Sequence, residues 1–255
     1  MRKIIKIISG LLILIFLGFY SYLYTHQATP ILMYHSFDKT RINNYAAVSI
    51  KKFYHQMEFI KDRKYNAVSL SDYCKLLKEN KPIPRNLVVI TIDDGYKDNL
   101  PAFKILKQFD FPATVFLITK NIGTLGYLSK EEIILALDNS KISIGSHTNT
   151  HSELSKIPEE SIKDELAGSK SALEKIFNQQ VETLAYPSGA FNENVLAITR
   201  ESGYLCACAT NRGFSKETDR FALRRIKITD KDNDFTLWAK LSGYYNVFKK
   251  VKKPY

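Results

Sequence analysis

The sequence predicts an α/β protein of one domain: a distorted or incomplete (β/α) barrel of about seven to eight strands, preceded by an N-terminal transmembrane helix. Short apolar segments rich in β-branched residues alternate with amphipathic segments, as in parallel sheets covered by helices. About 230 residues follow the N-terminal segment, enough for one sizeable core. Fitting about eight strands into that length favours a closed or partly closed barrel over an open sheet.

The N-terminal segment has the pattern of a membrane anchor. Three basic residues precede the uncharged apolar run from Ile7 to Tyr24, which at about 18 residues is near the lower limit for a spanning helix. The positive-inside rule then directs the rest of the chain outward. A cleaved signal peptide is the alternative, but residues 25–28 make a poor cleavage site. We therefore expect an anchor at 1–24 and an extracytoplasmic domain at 25–246, at the cell surface or in the periplasm.

The charge of the chain does not predict a nucleic-acid partner. The formal net charge is +11, but without the basic residues at the two ends the body holds 30 basic and 26 acidic residues. No basic stripe with interleaved aromatic residues is present in the sequence. The basic tail at 247–255 is expected to be solvated.

Three cysteines, an odd number, cannot all pair with one another. Cys206 and Cys208 flank one residue of a strand-like run and therefore point to the same face. We expect these two to pack in the core. Without a CxxC pair or a second cluster, neither a disulfide framework nor a cysteine metal site is predicted.

The predicted elements alternate along the chain. Strands are predicted at Pro30–His35, Asn66–Leu70, Leu87–Ile92, Ala113–Ile118, Ile142–Ser146, Thr183–Tyr186, Tyr204–Ala209 and Ala222–Ile228. Helices are predicted at Lys51–Arg63, Ser71–Glu79, Pro101–Phe109, Ser129–Leu137, Glu159–Phe177 and Asn192–Glu201. Ser71 is a candidate N-cap, and Pro101 suits a first helical turn.

Two adjacent carboxylates end the third predicted strand. Asp93 and Asp94 follow the apolar run LVVITI, and Gly95 then permits a sharp turn. Because adjacent carboxylates repel, an ionised pair at a strand end favours a bound divalent cation. A surface turn is the alternative for an isolated Asp-Asp-Gly.

Two histidines can complete such a site. His147 and His151, in SHTNTH, lie just past another predicted strand and are four residues apart, so both rings can lie on one side of a helical turn. Two imidazoles and one carboxylate form a catalytic rather than a structural metal set, for which zinc, cobalt, nickel and iron are all suitable. His35 and Pro187–Gly189 also follow strands, at the barrel end where such folds place their chemistry.

The segments ITIDDG, SHTNTH and AYPSG resemble successive motifs of the polysaccharide deacetylase (NodB-homology) family, carbohydrate esterase family four, from about Pro30 to Ile228. The resemblance implies that Asp93 is the catalytic base and that one divalent metal ion, zinc by preference, is bound by Asp94, His147 and His151. It implies hydrolysis of an N-acetyl amide, in which the metal lowers the pKa of water and the base takes its proton. The implied substrate-binding residues are Tyr186, Pro187, Ser188 and Gly189.

Two features depart from the common family pattern. The third motif usually has an arginine two residues before its proline and a tyrosine after it, but Ala185 and Ser188 stand there. No histidine follows His151, so the usual C-terminal histidine that serves as catalytic acid is absent. His35, in ILMYHSF, resembles the N-terminal histidine of the biofilm branch that acts on poly-β-1,6-N-acetylglucosamine, which implies that it is the acid.

An arginine from LRRI is implied to replace the missing one. Arg225 matches the same branch and would pair with Asp93. Because neighbouring strand residues point to opposite faces, the choice between Arg224 and Arg225 stays open. Tyr34, Tyr186 and Phe191 could form sugar-stacking surfaces, but core packing is expected for each.

The sequence therefore predicts a membrane-anchored, metal-dependent hydrolase that removes acetyl groups from N-acetylglucosamine residues of an extracellular polysaccharide, with poly-β-1,6-N-acetylglucosamine favoured. The same chemistry on peptidoglycan, chitin oligomers or a lipid-linked sugar is one alternative. An inactive carbohydrate-binding relic of the same fold is another, and the intact Asp93, Asp94, His147 and His151 argue against it.

Overall fold

The protein folds around one parallel β-sheet. The computed structural model describes residues 2–25, 28–38, 46–210, 219–243 and 245. The strands in these ranges are β1 (Ile31–Tyr34), β2 (Asn66–Val68), β3 (Leu87–Ile92), β4 (Ala113–Leu117), β5 (Ile142–Ser146), β6 (Thr183–Ala185), β7 (Cys206–Cys208) and β8 (Ile226–Lys227). Seven of them follow the order β7-β6-β5-β4-β3-β1-β8, and β2 pairs with the first half of β3.

The sheet curls into a partial barrel whose two edges are bridged by the segment 220–228. The Leu223 N–H donates to the Ala207 carbonyl of β7, and the Ile228 N–H donates to the Met33 carbonyl of β1. One segment therefore contacts both edges of the curled sheet. The predicted incomplete barrel in a single α/β domain is confirmed, and all eight predicted strands are found.

The helices in the described ranges are α1 (Arg2–Thr25), α2 (Ile50–Asp62), α3 (Leu70–Lys78), α4 (Leu100–Phe109), α5 (Lys130–Asn139), α6 (Glu159–Lys163), α7 (Ser169–Phe177), α8 (Glu193–Glu201) and α9 (Asp234–Leu241). A π-helical turn, Asp164–Gly168, joins α6 to α7, so the predicted helix Glu159–Phe177 is continuous but widened at its centre. Helix α9 was not predicted from the sequence.

The N-cap of α3 corrects another prediction. Ser69, and not Ser71, accepts the Asp72 N–H at the helix start. The Ser71 hydroxyl donates instead to the Glu182 carboxylate. Within the residues whose side chains are described, no helix combines the length and hydropathy that crossing a membrane requires. The predicted basic tail at 247–255 lies outside the described residues.

The two faces of the sheet build two apolar layers. Alternate strand residues such as Leu32, Ile90 and Val115 pack outward against the helices. Their neighbours on the inner face pack with α3, which covers the N-terminal end of the barrel. This inner cluster comprises Ile31, Leu70, Tyr73, Cys74, Leu87, Val89, Phe116, Ala185, Cys206, Cys208 and Leu223.

No disulfide framework was predicted from the sequence, but the structure contains one disulfide. Cys74 of α3 and Cys206 of β7 form a disulfide between Cα atoms 6.2 Å apart, across a sequence separation of 132 residues. The bond joins the covering helix to the sheet, a proximity that only the folded barrel creates. Cys208 is a buried free thiol on the same face as Cys206, as predicted.

Candidate active site

Asp93 lies on the inner face just past the end of β3. Alternation along the strand points Leu87, Val89 and Thr91 inward, and Asp93 continues that row beyond Ile92. Its N–H donates to the Tyr34 carbonyl at 2.9 Å, and the residue is 2% exposed. A carboxylate at this depth requires a charged partner.

Arg225 is that partner. Its Nη1 and Nη2 donate to Oδ1 and Oδ2 of Asp93 at 2.5 and 2.7 Å, and its Nε donates to the Ala209 carbonyl at 2.9 Å. The guanidinium, 1% exposed, lies 5.4 Å above the Phe116 ring. Arg224 is only half-buried, so the open choice between the two arginines falls to Arg225.

This pair controls the ionisation of Asp93. Burial of the carboxyl opposes its ionisation, but the Arg225 guanidinium, together with His147 and His35, outweighs burial and holds the pKa of Asp93 below its ordinary value. The carboxylate is therefore charged at neutral pH and fixed by two parallel hydrogen bonds.

Asp94, His147 and His151 converge beside the pair. The Oδ1 atom of Asp94 lies 3.4 Å from Nε2 of His147 and 3.5 Å from Nε2 of His151. One ligand atom from each residue lies within 4.8 Å of the others. Burial of the Asp94 carboxyl opposes its ionisation. Hydrogen bonding to His147 nevertheless holds the pKa of Asp94 far below its ordinary value.

The first histidine of this triad is oriented by the sheet. His147 Nδ1 lies 2.7 Å from the Ala185 carbonyl of β6, which can only accept a hydrogen bond. That contact keeps a proton on Nδ1, so Nε2, the nitrogen that faces Asp94, is the one that can bind a metal ion when the ring is neutral. The ring is therefore fixed in the tautomer that binds a metal ion.

The loop that carries both histidines is held by the π turn. The Asn149 amide donates to the Asp164 carbonyl at 2.8 Å, and the Thr150 N–H donates to Glu165 Oε2 at 2.9 Å. A Cβ atom on Gly168 would lie 3.1 Å from Asn149 Nδ2, so the helix approaches the loop closely there. Asn149 and Glu165 were not predicted from the sequence; a glycine inside a long predicted helix was the available signal.

His35 lies just past the end of β1, which pairs with β3 on the side away from β4 and β5. Its Nε2 is 3.8 Å from Asp93 Oδ2, and its side chain is 25% exposed. Burial lowers the pKa of His35 although the neighbouring carboxylates act to raise it. The structure thus brings His35, Asp93 and Arg225 together, as predicted from the sequence.

The turn after β6 presents little side-chain surface. Tyr186 is fully buried, donates its hydroxyl to the Phe221 carbonyl at 3.0 Å and stacks on Phe191, so core packing is confirmed for both aromatic residues, as it is for Tyr34. Pro187 and Gly189 are also buried, while Ser188 is exposed and has a φ of 56°. A substrate can reach this turn through Ser188 and the backbone.

Known proteins resemble this chain in sequence and in fold. A family model described as polysaccharide deacetylase matches residues 80–207. The Bacillus subtilis (strain 168) protein YxkH, whose name places it in the same family, is 33% identical over 202 residues, covering 78% of this chain and 71% of that protein.

Two further similarities are more distant. Poly-β-1,6-N-acetyl-D-glucosamine N-deacetylase of Staphylococcus aureus (strain MSSA476) is 28% identical over 207 residues, or 74% of this chain and 70% of the relative. The structure of the Streptococcus pyogenes deacetylase PplD in complex with acetate superposes with a TM-score of 0.77 at 28% identity, over 84% of this chain and 97% of the other. This chain therefore belongs to the polysaccharide deacetylase family, hydrolases that act on N-acetyl amide bonds.

Proposed function

We propose that this protein is a metal-dependent N-deacetylase of an N-acetylglucosamine polysaccharide, with poly-β-1,6-N-acetylglucosamine as the leading substrate. The observation that carries the proposal is a buried, arginine-paired carboxylate, Asp93, beside the converging triad of Asp94, His147 and His151. A carbohydrate-binding protein has no use for a buried base next to a metal triad.

The triad suits a divalent metal ion. It offers two imidazole nitrogens and one carboxylate oxygen, the donor set of a catalytic site that leaves positions open for water and substrate. Asp94, His147 and His151 would hold the ion, with zinc as the leading candidate and cobalt, nickel and iron as alternatives. When bound, such an ion supplies Lewis acidity and water of lowered pKa.

The residues of this chain divide the proton transfers between them. Asp93, kept ionised by Arg225, accepts the proton of the water that attacks the acetyl carbonyl. His35, with its Nε2 3.8 Å from Asp93 Oδ2, donates a proton to the departing amine as the C–N bond breaks. The products are acetate and a glucosamine unit whose amine is cationic at neutral pH.

Acetate release tests the site assignment. The purified chain is incubated with N-acetylglucosamine oligomers, before and after chelation and again after each candidate metal is restored. We expect that chelation of the parent and the substitution His151→Ala both abolish acetate release. Added metal should restore release in the chelated parent but not in the variant. Release that is unchanged by both treatments would refute the metal-dependent proposal.

The substrate is proposed from the position of the acid. His35 precedes Asp93 in the chain, and the Staphylococcus aureus relative named for poly-β-1,6-N-acetyl-D-glucosamine aligns over 74% of the chain. We expect faster release from β-1,6-linked than from β-1,4-linked oligomers. Equal or reversed rates would favour chitin oligomers or peptidoglycan, and activity only on a lipid-linked sugar would favour that class.

We also propose that α1 anchors the domain to a membrane with the barrel outside the cytoplasm. The basis is the basic flank followed by apolar residues, whose described side chains, such as Leu12, Leu14 and Phe16, are more than 60% exposed. Fractionation of the full chain and of a variant lacking residues 1–24 tests this. Recovery of both in the same soluble fraction would contradict it.

A further inference from the structure

Two of the three histidines beside the carboxylates, His147 and His35, are held in different ways. His147 is fixed through its own ring, because Nδ1 bonds to the Ala185 carbonyl at 2.7 Å. The His35 ring lacks such a bond: its Nε2 is 3.8 Å from Asp93, and its Nδ1 is buried without a hydrogen-bond partner. The place of the His35 imidazole therefore depends on the backbone that carries it.

The segment from His35 to Phe37 is bound by Asp98 and Asn99, which follow Asp93 in the chain. Asp98 accepts the Ser36 hydroxyl at 2.5 Å through Oδ2 and the Phe37 N–H at 3.2 Å through Oδ1. The Asn99 amide donates to the His35 carbonyl at 2.8 Å.

The same amide ties the two anchoring residues to each other. Asn99 Nδ2 also lies 3.1 Å from Asp98 Oδ1, and Asn99 is fully buried. The turn after β1 has a further bond, from the Val48 N–H to the Ser36 carbonyl at 3.0 Å, but that bond lies beyond His35 in the chain. Only Asn99, among these contacts, binds the backbone of His35 itself.

Asp98 and Asn99 stand five residues after Asp93 and Asp94, in a short helical turn that leads into α4. One continuous segment thus carries the base and contacts the backbone of the acid. The pairing of β1 with β3, which ends with the bond from the Asp93 N–H to the Tyr34 carbonyl, brings Asp93 and His35 together, and the Asn99 amide adds a bond to the next carbonyl, that of His35.

We propose that Asp98 and Asn99 are positioning residues that hold His35 where it can protonate the leaving amine. This inference rests on the proposed function, because it concerns the acid of that reaction. Neither residue touches the reacting atoms, so their loss should affect the step that needs an acid and leave the rest of the site intact.

The leaving group separates this role from a merely structural one. An amine leaves only when protonated, whereas 4-nitrophenolate leaves without help, so hydrolysis of 4-nitrophenyl acetate does not need the acid. For Asn99→Ala we expect kcat on N-acetylglucosamine oligomers to fall about 10- to 100-fold. The rate on 4-nitrophenyl acetate should stay within about threefold, the pattern also expected of His35→Ala.

Asn86→Ala is the matched control. The Asn86 amide also donates to a backbone carbonyl, that of Lys64 at 3.1 Å, but it precedes β3 at the opposite end of the strand. Its loss should change neither rate. The kcat of Asp98→Asn on N-acetylglucosamine oligomers should lie between those of Asp98→Ala and the parent. The amide oxygen can still accept the Phe37 N–H, and the new amide can donate to the Ser36 hydroxyl.

Hydrogen exchange of the Phe37 amide reports on the contact without activity. We expect faster exchange in Asp98→Ala and unchanged exchange in Asn86→Ala. A parent that releases no acetate from any N-acetylated oligomer refutes the proposed function, and exchange then still decides whether the turn is held. An active parent whose Asn99→Ala and Asp98→Ala variants lose both rates equally, or neither, overturns the positioning role. If Asn99→Ala does not fold, Asp98→Ala carries the same comparison.

Discussion

The inner face of the barrel changes character halfway along its strands. In the N-terminal half, Leu87, Val89 and Cys206 pack with α3 in an apolar cluster closed by the disulfide. In the C-terminal half the same inward rows end in charged and polar groups, with Asp93 past β3 and His147 past β5. One half therefore supplies stability, and the other holds buried charges that cost stability unless they are paired.

Backbone conformation marks the same division. Eight non-glycine residues in the described ranges have positive φ angles. Four of them, Lys64, Asn80, Asp110 and Asn178, follow helix ends, where a left-handed residue is common. The other four, Asp94, Thr148, His151 and Ser188, follow no helix and lie at the candidate site. Strain of this kind is concentrated where ligands must be aimed.

The largest effect is expected for Asp93→Asn in the charged half. An amide cannot accept the proton of the attacking water, so acetate release should fall about 10²- to 10⁴-fold. Asp110→Asn is the control, since the Asp110 carboxylate is 76% exposed and lies in the left-handed position that asparagine also tolerates. Activity of Asp93→Asn within about threefold of the control would remove the base from the mechanism.

Arg225→Met tests whether buried charge is the cost of the functional half. It leaves the Asp93 carboxylate buried without its partner, and we expect the free energy of unfolding at neutral pH to fall by about 3–5 kcal/mol. Without the guanidinium, burial is the dominant influence and raises the pKa of Asp93.

The sign of the pH dependence follows. In the parent, the pKa of Asp93 is lowered, so the ionised carboxylate stabilises the fold at pH values above the ordinary pKa of aspartate. This stabilisation is lost as the pH falls toward the lowered pKa. In the variant, protonation relieves the unpaired charge, so its deficit should shrink toward about pH 4. Urea unfolding of both proteins at the two pH values measures this. A deficit that does not change with pH would mean that lost packing, and not charge, is responsible.

The charged half was the easier of the two to predict from the sequence. Asp93, Asp94, His147 and His151 follow strands that are recognisable from apolar runs, and parallel strands place their ends together. The inward choice of Arg225 over Arg224 could not be made, because it depends on the register of the segment 220–228 against β7 and β1. Asp98 and Asn99 were missed because hydrogen bonds to a distant backbone leave no periodic pattern.

The apolar half was predicted as strands but not as contacts. The pairing of Cys74 with Cys206 depends on how α3 lies across the barrel, which hydrophobic periodicity does not specify. Helix α9 was missed because its eight residues are too few for a clear helical period, although Asn233 and Thr236 form a capping box at its start. Local patterns fixed the elements, and tertiary register fixed the rest.

Replacing both Cys74 and Cys206 by serine tests the apolar half. The bond closes a long loop, across 132 residues, so its loss should lower the free energy of unfolding by about 2–4 kcal/mol. Acetate release below the melting range should not change, because the bond lies at the end opposite the triad. Cys208→Ala is the control without a broken bond. A double variant that keeps its stability but loses activity would contradict the division between the halves.

Gly145→Ala probes the boundary between the halves and has the smallest expected effect. An added Cβ would lie 2.5 Å from the Phe116 ring and 2.6 Å from Thr183 Oγ1, and the Phe116 ring supports the Arg225 guanidinium. We expect a loss of about 1–3 kcal/mol in stability, because a well-packed strand interior must shift to admit a methyl group. Replacing Phe116 by leucine in the same chain removes part of the ring and should restore some of the lost stability, which a double-mutant cycle measures.

Activity distinguishes a second effect. If the displaced ring also moves Arg225, activity falls with stability, and Phe116→Leu does not restore activity because leucine offers no ring face to the guanidinium. If Phe116→Leu restores activity as well as stability, the position of Arg225 does not depend on the Phe116 ring, and the packing at Gly145 affects stability alone.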